Sequence, residues 1–255
     1  MPEALRAPVK IDQPLAPLPV GGLLAVADVT DTTDEHFMNG VVYESWLCGL
    51  GGIAPGLCDV APGVSVDAAK EFGGSEIVEG YPFAVYTGIE CDLFGRPYTE
   101  QARGRLAGSE EYLVGRAFQQ VLFEVAGPDM PADVCVAGAD ICDIIGALEQ
   151  WAGTHYAGRP ILHMNRATAA MAISAHQLMP QLDGTLATVQ GTPVANSPGY
   201  DDDLVFITGP VHLWRTPLNV HDVDAVMENK AKSLAERVYV AAWDCIAASC
   251  SVGGA

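Results

Sequence analysis

The stretch VQGTPVANSPGYDDDLVFITGPVHLWRT, Val189 to Thr216, constrains the chain more than any other. Short apolar runs alternate there with turn signals: Thr192–Ala195, then Ser197-Pro198-Gly199-Tyr200, then Leu204–Ile207, then Gly209-Pro210, then Val211–Trp214. Runs this short, bounded by proline and glycine, predict strands joined by tight turns. The stretch holds no cysteine, no glutamate, one histidine and one serine that precedes proline. Such closely turned sheet without the residues of a nucleophile site raises the question of what it is for.

Two amphipathic helices precede it. In SEEYLVGRAFQQVLFEV, Leu113, Ala117, Val121 and Val125 are spaced by four, with Phe118 and Leu122 beside them. Ser109 is the expected N-cap, Glu110 and Glu111 suit the positive end of the helix dipole, and Gly127-Pro128 should end it. A weaker helical stretch is expected at about 99–106. In DICDIIGALEQWAG, Ile141, Ile144, Ile145, Leu148 and Trp151 follow the i, i+3, i+4, i+7 pattern up to Gly153. A strand at 159–164 should follow, with Asn165 capping a third helix, RATAAMAISAHQL, that stops before Pro180. The last 40 residues predict a long extended segment from about Met227 and a final strand from about Ala247, with a helical start as the alternative. Helices mixed with separate runs of strands make this an α+β fold.

The ends of this core look different. Pro2, Pro8, Pro14, Pro17 and Pro19 fix an extended start. From about residue 36 to 80 glycines interrupt every apolar run, which predicts an extended hairpin or loop. Both segments are expected to make few contacts within their own chain. The proline-rich start has no signal-peptide pattern, and no apolar run approaches the roughly 20 residues needed to cross a bilayer, so an intracellular product without membrane contact is expected.

Composition narrows the function. Hydrophobic residues are 49% of the chain and charged residues 18%, which excludes a disordered chain. So little polar surface suits a subunit that buries apolar area against neighbours. Net charge is −19, with 13 basic and 32 acidic residues, so no specific nucleic-acid recognition is expected. The seven cysteines include no CxxC pair and read as buried residues of a reduced protein.

No catalytic, cofactor-binding or metal-binding residue emerges. His36, His155, His163, His176, His212 and His221 show no HExxH spacing and read as ordinary polar residues at element ends. Ser197 lacks a nucleophile-elbow context. Cys91 and Cys142 have no cationic neighbour in the sequence. Asp201, Asp202 and Asp203 lack the rest of a calcium loop and read as a solvated tip.

Taken in order, three segments resemble the major capsid proteins of tailed bacteriophages with the HK97-type fold. SEEYLVGRAFQQVLFEV resembles that family's spine helix. ALEQWAGTHYAGRPILHMNRATAAMAISAHQL with GTLATVQGTPVANSPGYDDDLVFITGPVHLWRT resembles its axial domain. MENKAKSLAERVYVAAWDCIAASCSVG resembles its closing peripheral strands. The likeness covers roughly residues 81–255; Thr208-Gly209-Pro210 departs from it, since the family commonly places a charged residue after this glycine. It implies an N-terminal arm (1–35), an extended loop (36–80), a peripheral domain (81–130 and 217–255, with the spine helix at about 109–126) and an axial domain (131–216). It also implies a non-enzymatic subunit of an icosahedral capsid around double-stranded DNA, without cofactors. That subunit would be assembled in the host cytoplasm as pentamers or hexamers and found in the virion. Scaffold, decoration and portal proteins are the implied further partners, the scaffold being separate or absent. Some shells of the family join a loop lysine to a neighbour's asparagine; Lys70 with Asn229 or Asn196 is the candidate pair, and no such bond is expected here. Cellular encapsulin shells share the fold and are the alternative reading, with another virion structural protein behind them.

Overall fold

The computed structural model describes residues 20–50, 75–91, 98–125, 132–136, 138–225 and 230–252. The chain begins with α1 (Leu23–Val26), β1 (Asp28–Asp31), a 3-10 turn (Glu35–Asn39), β2 (Val41–Ser45) and β3 (Glu76–Cys91). Then come α2 (Thr99–Gln120), which runs on into a π-helical turn (Val121–Val125), β4 (Ala132–Asp133), α3 (Ile141–His155), β5 (Ile161–Met164) and α4 (Arg166–Ser174). The remainder is all strand: β6 (Leu178–Pro180), β7 (Leu186–Thr188), β8 (Pro193–Asn196), β9 (Leu204–Thr208), β10 (Val211–Arg215), β11 (Asn219–Ala225), β12 (Lys230–Trp243) and β13 (Ala247–Ser251).

Two sheets organise these elements. The first has the order β1-β10-β12-β3-β2, with β11 paired to the first half of β12. The second has the order β4-β13-β9-β5-β8-β7-β6. The strands expected in the turn-rich stretch are therefore real, but they divide: β8 and β9 belong to the second sheet and β10 to the first. Besides the passage through α2 from β3 to β4, the chain crosses between the sheets at two tight connections, Gly209-Pro210 and Asp244-Cys245-Ile246. The crossings lie against each other, with Gly209 N–H donating to Ile246 O (3.2 Å) and Asp244 N–H to Pro210 O (3.1 Å). A Cβ on Gly209 would collide with the Asp244 backbone, so glycine is required by close approach.

The long helix joins the two layers. Ala102 and Leu106 of its first half pack toward the first sheet, while Phe118 and Leu122 reach the inner face of the second, among Ile161 and Phe206. Period-two alternation along β9 sends Phe206 to this side and Val205 and Ile207 to the other, into the cluster of Ile144, Ile145 and Leu148 of α3 with Ala169 and Ala172 of α4. Each fully buried side chain of this size contributes about 1.5–3 kcal/mol.

The structure corrects the sequence reading at several points. The two helices expected at 99–106 and 109–125 are one, because Gly104 and Gly108 face open space and cost only propensity there. Ser109 is no cap: its hydroxyl donates back to Arg105 O (2.9 Å) within the helix. The start is held instead by Ser233 of β12, whose hydroxyl accepts from Tyr98 N–H (3.0 Å). The buried stripe is centred on Val114, Phe118 and Leu122 rather than on Leu113 and Ala117. The expected stop at Gly127-Pro128 lies outside the described residues. The helix α3 starts where its pattern begins, capped by Asp140, which accepts from Cys142 and Asp143 N–H, but it runs past Gly153 to His155. Asn165 caps α4 as expected, accepting from Thr168 N–H (2.7 Å). That helix stops at Ser174, short of Pro180, because His176 takes φ 58° and Leu178–Pro180 pairs with β7.

Two further corrections concern the whole chain. The cysteines do not read as a reduced set: Cys48 is bonded to Cys245 and Cys135 to Cys250, across sequence separations of 197 and 115. From residue 20 onward the N-terminal segment is tied into its own subunit. Leu23 is fully buried, and β1 adds to the first sheet in parallel with β10. Glu111, buried in α2, turns its carboxylate onto the start of α1, accepting from Leu23 N–H (2.7 Å) and Leu24 N–H (2.9 Å). Asn196 accepts from Gly22 N–H (3.0 Å).

Candidate assembly surfaces

The residues that sequence reading considered for chemistry do not converge. His163 sits inside the protein in β5 rather than at a surface end. Its ring stacks on Phe206 (4.5 Å between centroids) and its nitrogens face the Tyr200 and Thr208 hydroxyls at 3.0 and 2.9 Å. Burial lowers its pKa to about 3, so it is a neutral core residue. His155 stacks on Trp151, His212 faces Asp28 and His221 faces Glu236, each at a separate place on the surface. Ser197 is buried and donates to Glu111 O (3.1 Å), a structural bond.

The Asp201–Asp203 run is more than a solvated tip. Gln119 donates to the Asp201 carboxylate (2.6 Å) and accepts from Asp201 N–H (3.0 Å), while Asn165 donates to Asp202 (2.9 Å). These bonds pin the β8–β9 connection to α2 and to the cap of α4. Among the described residues one group of three side chains has the spacing for a metal, namely Cys48, Glu76 and Cys245, and there the two sulfurs are bonded to each other. Cys142 is a half-buried free thiol; Lys70 and Asn229 lie outside the described residues. The Asn196 side chain is already engaged by Gly22.

A cavity of about 340 Å³ lies between the 3-10 turn and the first sheet, lined in part by Asp34, Phe37, Met38, Pro217 and Arg237. Arg237 is committed elsewhere: it donates to Glu110 (2.8 Å), which also accepts from Tyr239 (2.6 Å). Burial, with the adjoining Glu110 carboxylate, pushes the Tyr239 hydroxyl up to about 12. This triad is an internal clamp from α2 to β12.

What the surface does offer is apolar area. On the outward face of the β2–β3 ladder, Val42 and Ile77 are 68% and 73% exposed, and Trp46 beyond them 78%. Glu44 and Glu79 share that face. A second set, Met171 and Ile173 on α4 with Met179 and Leu182 on and after β6, lies at the far edge of the second sheet. Large apolar side chains left in the open suit surfaces that another molecule covers. Sequence reading missed both, because a strand that alternates in a two-sided way looks the same whether its outer face meets water or protein.

Comparison with known proteins completes the description. No family model matches the sequence, and no curated protein matches it either. Solved structures do match, over nearly the whole chain. One is a structure of Microbacterium phage Oxtober96, 13% identical, covering 99% of this chain and 97% of that one, with a TM-score of 0.52. Another is the capsid of Ralstonia phage GP4, 11% identical, covering 98% and 96%, with a TM-score of 0.52. The chain has the HK97-type fold. The same HK97-type architecture matches the holo-SrpI encapsulin complex from Synechococcus elongatus PCC 7942, 12% identical, covering 95% of this chain and 92% of that one, with a TM-score of 0.51. Viral and cellular shells thus both share the architecture described above.

Proposed function

We propose that this protein is the major capsid protein of a tailed bacteriophage, forming the pentamers and hexamers of an icosahedral shell around packaged double-stranded DNA. The observation that carries the reading is the end-to-end match, 98% of this chain with 96% of that one, to a phage capsid. The exposed apolar faces on the hairpin stem and on α4–β6 support it, since heterologous contacts that close around an axis would cover such faces. A net charge of −19 fits a container that must let DNA pack tightly without binding it.

In this reading α2 is the spine helix. Residues 1–35 form the arm, 36–80 the extended loop, 81–130 with 217–255 the peripheral domain, and 131–216 the axial domain. The partition of most strands between the two sheets supports this division, although β10 and β13 lie in the sheet of the other part. Subunits would meet scaffold, decoration and portal proteins in the host cytoplasm and end in the virion. The reading needs no catalytic residue.

The likeness to an encapsulin supports a second reading, a cellular compartment shell. Electron microscopy of the purified protein should show closed shells built from five- and six-membered rings. Nuclease-protected DNA inside native particles would support the capsid; protein cargo would favour the compartment. A compact monomer at every concentration, with and without co-expressed neighbouring genes, would refute both.

A further inference from the structure

The place where the hairpin meets the body of the subunit carries an inference of its own. The segment Tyr43–Gly49, at the end of β2, is attached there at three points. Tyr43 donates to one oxygen of Asp244 (2.7 Å), while Tyr156, at the end of α3, donates to the other (3.1 Å). Cys48 forms an antiparallel bridge with Tyr156, with Gly49 N–H donating to His155 O (3.3 Å) and Ala157 N–H to Leu47 O (3.2 Å). Cys48 is finally bonded to Cys245, in the crossing between the two sheets. Only the last of these attachments is covalent, and both its cysteines are partly exposed. The other disulfide ties β13 to the segment after β4 and differs at one end: Cys135 is partly exposed as well, but Cys250 is 1% exposed.

We infer that Cys48–Cys245 is a redox latch, open while shells assemble in a reducing cytoplasm and closed by oxidation afterwards, which fixes the hairpin stem to the crossing between the sheets. The timing rests on the shell reading above; the latch itself rests on the geometry of one subunit. Cytoplasmic thiols stay reduced, and disulfides form once a protein meets an oxidising medium. The step balances as exchange with a small-molecule disulfide such as oxidised glutathione. The Cys48 or Cys245 thiolate attacks one of its sulfurs and releases one thiol. The second cysteine then attacks the mixed disulfide and releases the other, and the two protons given up by the protein thiols end on the two released glutathione thiolates. While the latch is open, the stem is held by the ladder to β3 and by a few bonds at its exposed end, so it can adjust to neighbours. Once closed, it cannot leave the body.

The test uses full-length protein from cells lysed in an alkylating agent, and the same shells after treatment with oxidised glutathione. Peptide mapping should find Cys48 and Cys245 alkylated in the first and joined in the second. Graded reduction should then open Cys48–Cys245 at least about tenfold faster than Cys135–Cys250, because an attacking thiol reaches it more readily. On opening, hydrogen exchange of the amides at 41–50 should rise by about tenfold or more, with the amides of β9 unchanged. The double variant Cys48→Ser/Cys245→Ser should assemble, and should show the fast exchange whether or not reductant is present.

Exchange at 41–50 that ignores reduction would overturn the latch. So would stoichiometric zinc on reduced Cys48, Cys245 and Glu76 with no joined peptide after oxidation, which would make this a metal site instead. A cystine already complete in the alkylating lysate would overturn the timing. If no shells form at all, exchange measured on the free subunit still decides the latch, and the failure falls on the shell reading alone.

Discussion

Between pH 7 and pH 5 a proton binds His163 in the unfolded chain but not in the native one. The folded ring is enclosed by Phe206, Phe118 and Tyr200, faces only the Tyr200 and Thr208 hydroxyls, and has its pKa lowered to about 3 from the ordinary 6.5. A folded pKa below the unfolded one means that the unfolded state binds more protons between these values, so stability is full above about 6.5 and is lost as the pH falls toward 3. Integrated from pH 7 to 5, the loss is about 2 kcal/mol, a sizeable share of a typical total of about 5–15 kcal/mol. Urea unfolding of the unassembled subunit at both pH values should show it, and His163→Gln, which cannot take the proton, should lose about 2 kcal/mol less over the interval. Comparison with the variant at each pH cancels the other titrating groups, Glu111 among them. Equal pH dependence in the two proteins would refute the reasoning and place His163 in contact with water.

Three other outcomes are expected. Leu122→Ala, under the junction of α2 with the second sheet, should cost about 2–5 kcal/mol in chemical unfolding and abolish particles seen by microscopy, because it leaves a cavity in a fully buried site. Glu111 has its pKa raised, chiefly by burial and against the bonds from Leu24 and Leu23. Its share of stability is therefore present below the unfolded value and lost as pH rises through the folded one, and Glu111→Gln should remove that slope from unfolding curves between pH 4 and 8. Gly115→Ala should destabilise by about 1–3 kcal/mol in thermal melts, since its Cβ would meet the Ser197 side chain where α2 packs closest to the β8–β9 connection.

Much of the fold could be read where the signal is local. The stripe of α3, the cap Asn165 and the strands β8 to β10 are set by residues within a few positions of one another, and the structure places them where their patterns predict. The misreadings share a different cause. Ser109 looks like a cap because Gly108 precedes it, yet whether a helix continues through glycine is decided by what the neighbouring turns bury, here Leu106 and Val114. Glu111 looks like a dipole residue, but its partners lie 87 and 88 positions away. No spacing rule pairs cysteines across 197 residues. The apolar faces of the candidate surfaces were hidden for a related reason, since their complement lies on another molecule.

The place of β12 in the first sheet sets an order on the birth of the protein. This strand is the partner of β3, β10 and β11, and it pairs Tyr81 with Ala241 and Cys91 with Ala231. The ribosome therefore releases β3 about 150 residues before the strand that completes its ladder, a wait of roughly 8–30 s at 5–20 residues per second. During it β3 has only the short β2 beside it and an open edge on the other side, the kind of edge that invites pairing with other chains. In the second sheet β9 waits likewise for β13. Neither sheet can close before these strands emerge, so a nascent chain remains committed to solution, or to whatever protects it there, until almost all of this sequence has been made.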